Sequence, residues 1–158
     1  MKYKNTLLIV KDLNVSKHFY KHVLGLRVLL DFHGTVTLSA GIVLQSYEIW
    51  KDIIRKNNDE IVTQNHAYEL CFDTEDIDDF MNILNARNIP LVHPPLKEYA
   101  WGGQRVVRFY DPDGHMIEVG ESMKKVLKRF LSQGLSYEEA AKRMGLPVDY
   151  VKEILQHG

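Results

Sequence analysis

The chain has 158 residues, 45% of them hydrophobic and 26% charged, with a formal net charge of −1. That length holds one ordinary domain with a small appendage, and the balanced charge gives no whole-chain attraction for nucleic acid or an anionic membrane. A single cysteine, Cys71, excludes an intramolecular disulfide framework, and no apolar run approaches the ~20 residues of a membrane span.

Taken in order, Met1-Lys2-Tyr3-Lys4 leads straight into a predicted strand, Thr6 to Val10. No apolar leader precedes it, so the expected location is cytoplasmic. Asn14-Val15-Ser16 starts a predicted helix with Asn14 as its cap, and Val15, Phe19, Tyr20 and Val23 form the apolar stripe. Gly25 stops it. Leu26 to Phe32, Thr35 to Leu38 and Gly41 to Ser46 then read as strands, with His33-Gly34 a turn, and Tyr47 to Lys56 reads as a helix.

After the polar connector Lys56 to Glu60 the order repeats. Ala67 to Phe72 is a predicted strand in which Cys71 reads as a small buried hydrophobe. Asp76 to Arg87 is a helix with Ile77, Phe80, Met81 and Leu84 inward, and Ile89 to Val92 is a strand. A long loop from Pro94-Pro95 to Gly103 carries Trp101, placed to fold over a ligand as a lid or to pack on the sheet. Gln104 to Tyr110 and His115 to Gly120 close a hairpin across Asp111-Pro112-Asp113-Gly114, where Pro presets φ and Gly supplies the positive φ. Here His115 reads as a turn or surface residue.

The two halves are copies. Asp12 and Asp76 open equivalent strand-to-helix passages 64 residues apart, and the same spacing sets Asn5 opposite Glu69. Gly41-Ile42-Val43-Leu44-Gln45 answers Gly114-His115-Met116-Ile117-Glu118 at a spacing of 73. Asn5, Gln45, Glu69 and Glu118 are thereby nominated as related positions. Glu118 sits between Ile117 and Val119, so its carboxylate needs a metal, a cation or a ligand as partner. Arg105 and Arg108 lie on opposite faces of one strand. At most one of them faces Glu118, either to neutralise the glutamates or to hold an anionic substrate.

From Glu121 the strand signals stop. Met123, Val126, Leu127, Phe130 and Leu131 have helical spacing, Ser136 to Glu139 is a capping box, Gly145 ends that helix and Pro147 heads another. The segment from Leu135 to Val151 resembles a helix-turn-helix. Its second helix offers Asp149, Lys152 and Glu153 and no arginine for guanine edges, which argues against DNA and for a helical appendage.

The βαβββ repeat, the Val10-Lys11-Asp12-Leu13 opening with Phe19-Tyr20 and Leu24-Gly25-Leu26, and the Asp111-Pro112-Asp113-Gly114 turn with Ile117-Glu118 together resemble the vicinal oxygen chelate superfamily. That group spans glyoxalase I, bleomycin-resistance proteins and extradiol dioxygenases. The resemblance implies an α+β fold, with two βαβββ modules (about 1–56 and 64–120) forming curved mixed sheets around a cavity, within a domain at 1–120. Residues 121–158 form a helical extension. It further implies a divalent metal (Mn, Mg, Ni or Zn) at Asn5, Gln45, Glu69 and Glu118, with Glu69 and Glu118 as catalytic carboxylates. Glyoxalase-type sites carry His or Gln, Glu, His and Glu at the four positions, so only Glu118 matches. Oxygen donors alone favour hard ions such as Mg²⁺ or Mn²⁺.

Three functions follow as expectations. One is a metal-assisted lyase or isomerase for a small oxygen-rich metabolite. Another is a metal-free protein that binds or sequesters a small molecule, with Trp101, Arg105 and Arg108 contacting the ligand. The third, set back by the tail's charge, is a DNA-binding regulator that senses a ligand. A homodimer is also expected, because the apolar face of Met123, Val126, Leu127 and Phe130 needs a cover beyond the sheet.

Overall fold

The computed structural model describes residues 1–155 apart from 94–96 and 100–101. Strands β1 (Thr6–Val10), β2 (Val28–Phe32), β3 (Thr35–Leu38) and β4 (Ile42–Ser46) form one sheet in the order β1-β4-β3-β2. The β1–β4 pair is parallel and the other two pairs are antiparallel, so the sheet is mixed. Strands β5 (Leu70–Thr74), β6 (Lys97–Glu98), β7 (Arg105–Tyr110) and β8 (Met116–Glu121) form a second sheet in the order β5-β8-β7-β6. The same strand order twice is the repeat written in space, and the fold is α+β as expected.

Helix α1 (Leu13–Leu24) covers one face of the first sheet, where Tyr20 and Val23 are buried with Leu8, Val10, Val36, Leu38 and Leu44. Its cap is Asp12 and not the expected Asn14: the Asp12 carboxylate accepts from the backbone N–H groups of Asn14 and Val15. The buried stripe also differs. Val15 is exposed, and Ser16 is buried instead, with its hydroxyl directed at Asp113 at 3.4 Å. Gly25 ends the helix at φ 68°, as its sequence position implies. Helix α2 (Tyr47–Ile54) follows β4.

In the second module, helix α3 (Ile77–Ala86) buries Ile77, Phe80 and Leu84, and Phe80 meets Phe109 with ring centroids 5.9 Å apart. The expected strand at Ile89 to Val92 reduces to a single bridge, Leu91 to Phe109, and the edge pairing with β7 is made by Lys97 and Glu98. The strand after the connector begins at Leu70, three residues later than expected. Cys71 is exposed, contrary to the buried reading, because Leu70 and Phe72 take the inward alternation and leave Cys71 on the outer face with Glu69 and Asp73.

Helices α4 (Met123–Ser132), α5 (Tyr137–Met144) and α6 (Val148–Ile154) form the extension. The Ser136–Glu139 capping box and the Gly145 stop are both present. Val126, Leu127 and Phe130 are buried against Ala140, Ala141, Met144 and Val151. That apolar face is covered within the chain, so it no longer argues for a second subunit. By contrast every residue of β2 is exposed, with Leu29 and Leu30 at 60% and Phe32 at 62%. An edge strand this apolar is the kind that natural sheets otherwise cover, shorten or charge.

By its contacts the chain divides into two compact units, residues 1–70 with 110–116 and residues 71–109 with 117–158. The Asp-Pro-Asp-Gly turn therefore belongs with the first module although it lies in the second half of the sequence. Asp113 holds it there, accepting from the Lys11 backbone N–H at 3.0 Å.

Candidate functional site

The second sheet has one buried face, formed by Val107, Phe109, Ile117 and Val119, where Phe109 meets Phe80 of α3. Its other face is the more open one, and the chemistry-bearing residues collect there. Glu69 stands just before β5, Cys71 lies within it, and Glu118 lies on the neighbouring β8. One ligand atom from each of these three residues falls within 4.8 Å of the other two. The repeat places Glu69 and Glu118 there, and the period-two alternation adds Cys71, two residues after Glu69. Sequence reading missed the cysteine because an apolar neighbour on each side disguised an outward position.

Arg108 on β7 shares this face and donates to the Glu118 carboxylate, forming an ion pair between two half-buried side chains. It also donates to the Tyr99 hydroxyl, and its guanidinium lies 5.8 Å from the centre of the Tyr99 ring. Of the two arginines on the strand, Arg108 thus meets Glu118. Arg105 turns to the other side, where it pairs with Glu121 at 2.8 Å and with Asp78 at 3.0 Å. Trp101 lies outside the described residues.

Asn5 and Gln45 hold the equivalent places in the first module. Asn5 is half-buried immediately before β1. Gln45 is buried on β4, its amide oxygen accepting from Thr35 Oγ1 at 2.8 Å and its amide nitrogen donating to the Gly34 carbonyl at 3.1 Å. Both ends of that amide are committed inside the module, so ligation by Gln45 requires giving up the Thr35 contact.

Can the open face hold a metal ion? Tetrahedral coordination at roughly 2.0–2.3 Å needs donors about 3.3–3.8 Å apart, so these three, within 4.8 Å of one another, would draw together by side-chain rotation to share an ion. Two carboxylates and a thiolate carry three negative charges, and Arg108 with a divalent cation would balance them. The donor set fits. It also changes the expected ion, since a thiolate is a soft ligand that favours Zn²⁺ over Mg²⁺.

A second polar cluster forms around the turn of the first unit. Asp111 and His115 are both buried, at 5% and 3% exposure, which corrects the reading of His115 as a surface residue. Asp111 accepts from Tyr20 Oη at 2.8 Å, from the backbone N–H groups of Asp113 and His115, and from His115 Nδ1 at 2.8 Å. Burial, and then the Asp111 charge, push the Tyr20 pKa well above its ordinary value, so this phenol stays a donor. The signal for this cluster was available in the sequence. An acid at the first turn position followed four residues later by histidine brings both to the neck of one hairpin.

A family model described as a glyoxalase-like domain matches residues 3–124. Among solved structures, a protein of unknown function from Agrobacterium tumefaciens str. C58 is 38% identical, with a TM-score of 0.67 over 77% of this chain and 94% of that one. The lactoylglutathione lyase of Agrobacterium tumefaciens is 26% identical, with a TM-score of 0.58 over the same shares. A glyoxalase/bleomycin resistance protein/dioxygenase from Nocardioides shares the fold at 19% identity and a TM-score of 0.57, over 77% of this chain and 83% of that one. No match was found among curated proteins.

Proposed function

The chain belongs to the glyoxalase-like domain family, and from that premise we propose that it is a metal-assisted lyase or isomerase acting on a small oxygen-rich metabolite. The observation that carries the reading is the convergence of Glu69, Cys71 and Glu118 on the open face of the second sheet. These three residues would hold a divalent ion, while Asn5 and Gln45 belong to the first unit, where the Gln45 amide is already committed to Thr35 and Gly34. When bound, the ion supplies Lewis-acid polarisation of a substrate carbonyl. Glu118 is fixed in orientation by the Arg108 guanidinium, which leaves proton transfer at the substrate carbon to the Glu69 carboxylate. Arg108 and Tyr99 set one edge of the site and offer donors to an anionic or hydroxylated substrate group.

The test is thermal stability with each ion in turn. Zn²⁺ at ten times its dissociation constant is expected to raise stability by about 1.4 kcal/mol, following the mass-action relation. Cys71→Ser should remove most of the Zn²⁺ effect while leaving a weaker Mn²⁺ effect, and Glu118→Gln should remove both. If Zn²⁺, Mn²⁺, Ni²⁺ and Mg²⁺ at millimolar concentration all leave the melting curve unmoved, the metal-assisted reading fails.

One observation favours a second reading, a metal-free protein that binds or sequesters a small molecule. The Arg108–Glu118 pair already neutralises one of the two carboxylates. Under this reading the same face binds its ligand through Arg108, Tyr99 and Glu69, and the metal titrations are silent while the ligand still stabilises the fold. Regulation through DNA stays the most distant of the three, since α6 presents Asp149, Lys152 and Glu153.

We also propose that the protein is a homodimer, now on the strength of β2. Val28, Leu29, Leu30 and Phe32 are exposed along the edge strand of the first sheet, and a second copy would bury them. Light scattering at micromolar concentration is expected to give twice the chain mass of 18.3 kDa. Leu30→Lys combined with Phe32→Lys should give the monomer mass. A monomeric wild type would end the proposal.

A further inference from the structure

The Asp111–His115 pair has a feature that its structural role leaves unused. Asp111 is surrounded by donors, so the hydrogen on the His115 ring belongs on Nδ1, facing the carboxylate. In the neutral ring Nε2 is then an acceptor. It has no hydrogen-bond partner among the described residues, although the side chain is 97% buried.

The imidazole also lines a cavity of about 430 Å³ in the first unit. Most of the remaining lining is apolar, with Leu7 and Ile9 from β1, Trp50 and Ile54 from α2, and Ile61 and Val62 from the connector. Tyr68 lines it beside His115, their ring centroids 6.2 Å apart. None of the lining residues belongs to the Glu69–Cys71–Glu118 group. The volume lies within the range of small-molecule sites, and a single oriented acceptor in an apolar wall is the pattern such sites use for selectivity.

We infer that this cavity is a second ligand site, for a small aromatic molecule carrying one hydroxyl donor, with the hydroxyl on His115 Nε2 and the ring against the apolar wall at Trp50. A phenol fits this chemistry. Its ring covers Trp50, Ile54 and Leu7, and its hydroxyl satisfies the one acceptor that the His115 ring offers the cavity. A carboxylate or phosphate does not, because Glu60 is the charged side chain of the lining and a bare anion would meet a mainly apolar wall. Asp111 acts here as a positioning residue: it sets which ring nitrogen carries the proton. The inference is independent of the metal-assisted reading and stands or falls without it.

The probe is p-cresol, compared with toluene, in long-range ¹H–¹⁵N spectra of the intact protein. In the resting protein His115 Nδ1 should be the protonated nitrogen. Adding p-cresol should move the His115 Nε2 resonance and the Trp50 indole resonance together. Toluene should move the indole alone and bind about tenfold more weakly, the worth of one buried hydrogen bond. His115→Asn should bring p-cresol down to the toluene affinity. Because that position is buried, Ile54→Trp serves as the second variant; it fills the cavity from α2, leaves the pair intact, and should abolish both shifts. A proton on Nε2 in the resting protein, equal affinities for the two probes, or p-cresol binding that survives Ile54→Trp would each overturn the inference.

Discussion

Asp111→Ala is expected to lower stability by about 4 kcal/mol, among the largest effects of any single substitution in the first unit. Four donors converge on this carboxylate, two from the backbone and one each from Tyr20 and His115. Alanine would leave all four without it, and each unsatisfied buried donor costs about 1–3 kcal/mol, partly relieved by relaxation. For a chain of this length the loss corresponds to a melting temperature roughly 10–15 °C lower. Tyr20→Phe is the control. It removes one donor and leaves Asp111 with three, so it should cost only about 1 kcal/mol. Urea denaturation of the three proteins checks the ordering, and a loss below about 1 kcal/mol for Asp111→Ala would refute the account.

The turn shows what the sequence disclosed and what it withheld. Pro112 and Gly114 announce a tight connection, and the hairpin stands where they put it. Their local grammar says nothing of where the turn's side chains go. Asp113 reaches Lys11 and Ser16, about a hundred residues earlier in the chain, and Asp111 reaches Tyr20. Long-range polar pairing of this kind leaves no periodicity to read. The repeat was legible because it is a relation between two stretches of sequence, and it carried both strand orders with it.

The candidate site was legible to the extent that it inherits the repeat. Glu69 and Glu118 follow from the spacing alone. Cys71 does not, since its exposure depends on which way β5 alternates, and Leu70 and Phe72 settle that only once the strand's start is known. The Arg105–Arg108 division followed from the opposite faces of a strand, whereas the identity of each partner required the neighbouring strand in register. Glu121 escaped notice for a further reason. It is the last residue of β8, where an acid reads as the solvent-exposed end of a strand, yet it is 3% exposed.

Glu121→Gln is the second substitution with a large expected effect, about 3 kcal/mol, and it should act mainly on the extension. The Glu121 carboxylate accepts from the Arg105 side chain at 2.9 Å and backbone at 3.1 Å, and from Arg129 on α4 at 2.8 Å. Arg129 continues to Glu98, which also holds Arg143 on α5. Both arginines lie over the Phe130 ring, their guanidinium carbons 5.0 and 4.8 Å from its centre. Glu121 is therefore the buried anchor that ties α4 to the sheet, and removing one member of a buried pair costs about 3–5 kcal/mol, reduced here because both arginines retain some solvent. Burial pushes the Glu121 pKa up, but hydrogen bonds from Arg105 and Arg129 outweigh it and hold the group below its ordinary value of 4.5. A folded-state pKa depressed in this way means that the stabilisation is complete above the unfolded value and is lost as pH falls through the folded one. Wild type and Glu121→Gln should therefore differ by about 3 kcal/mol at neutral pH and converge as the solution is acidified below about pH 4. Urea midpoints across that range read the difference directly, and a gap that stays constant down to the acid limit would show that the charge on Glu121 is not what holds the extension in place.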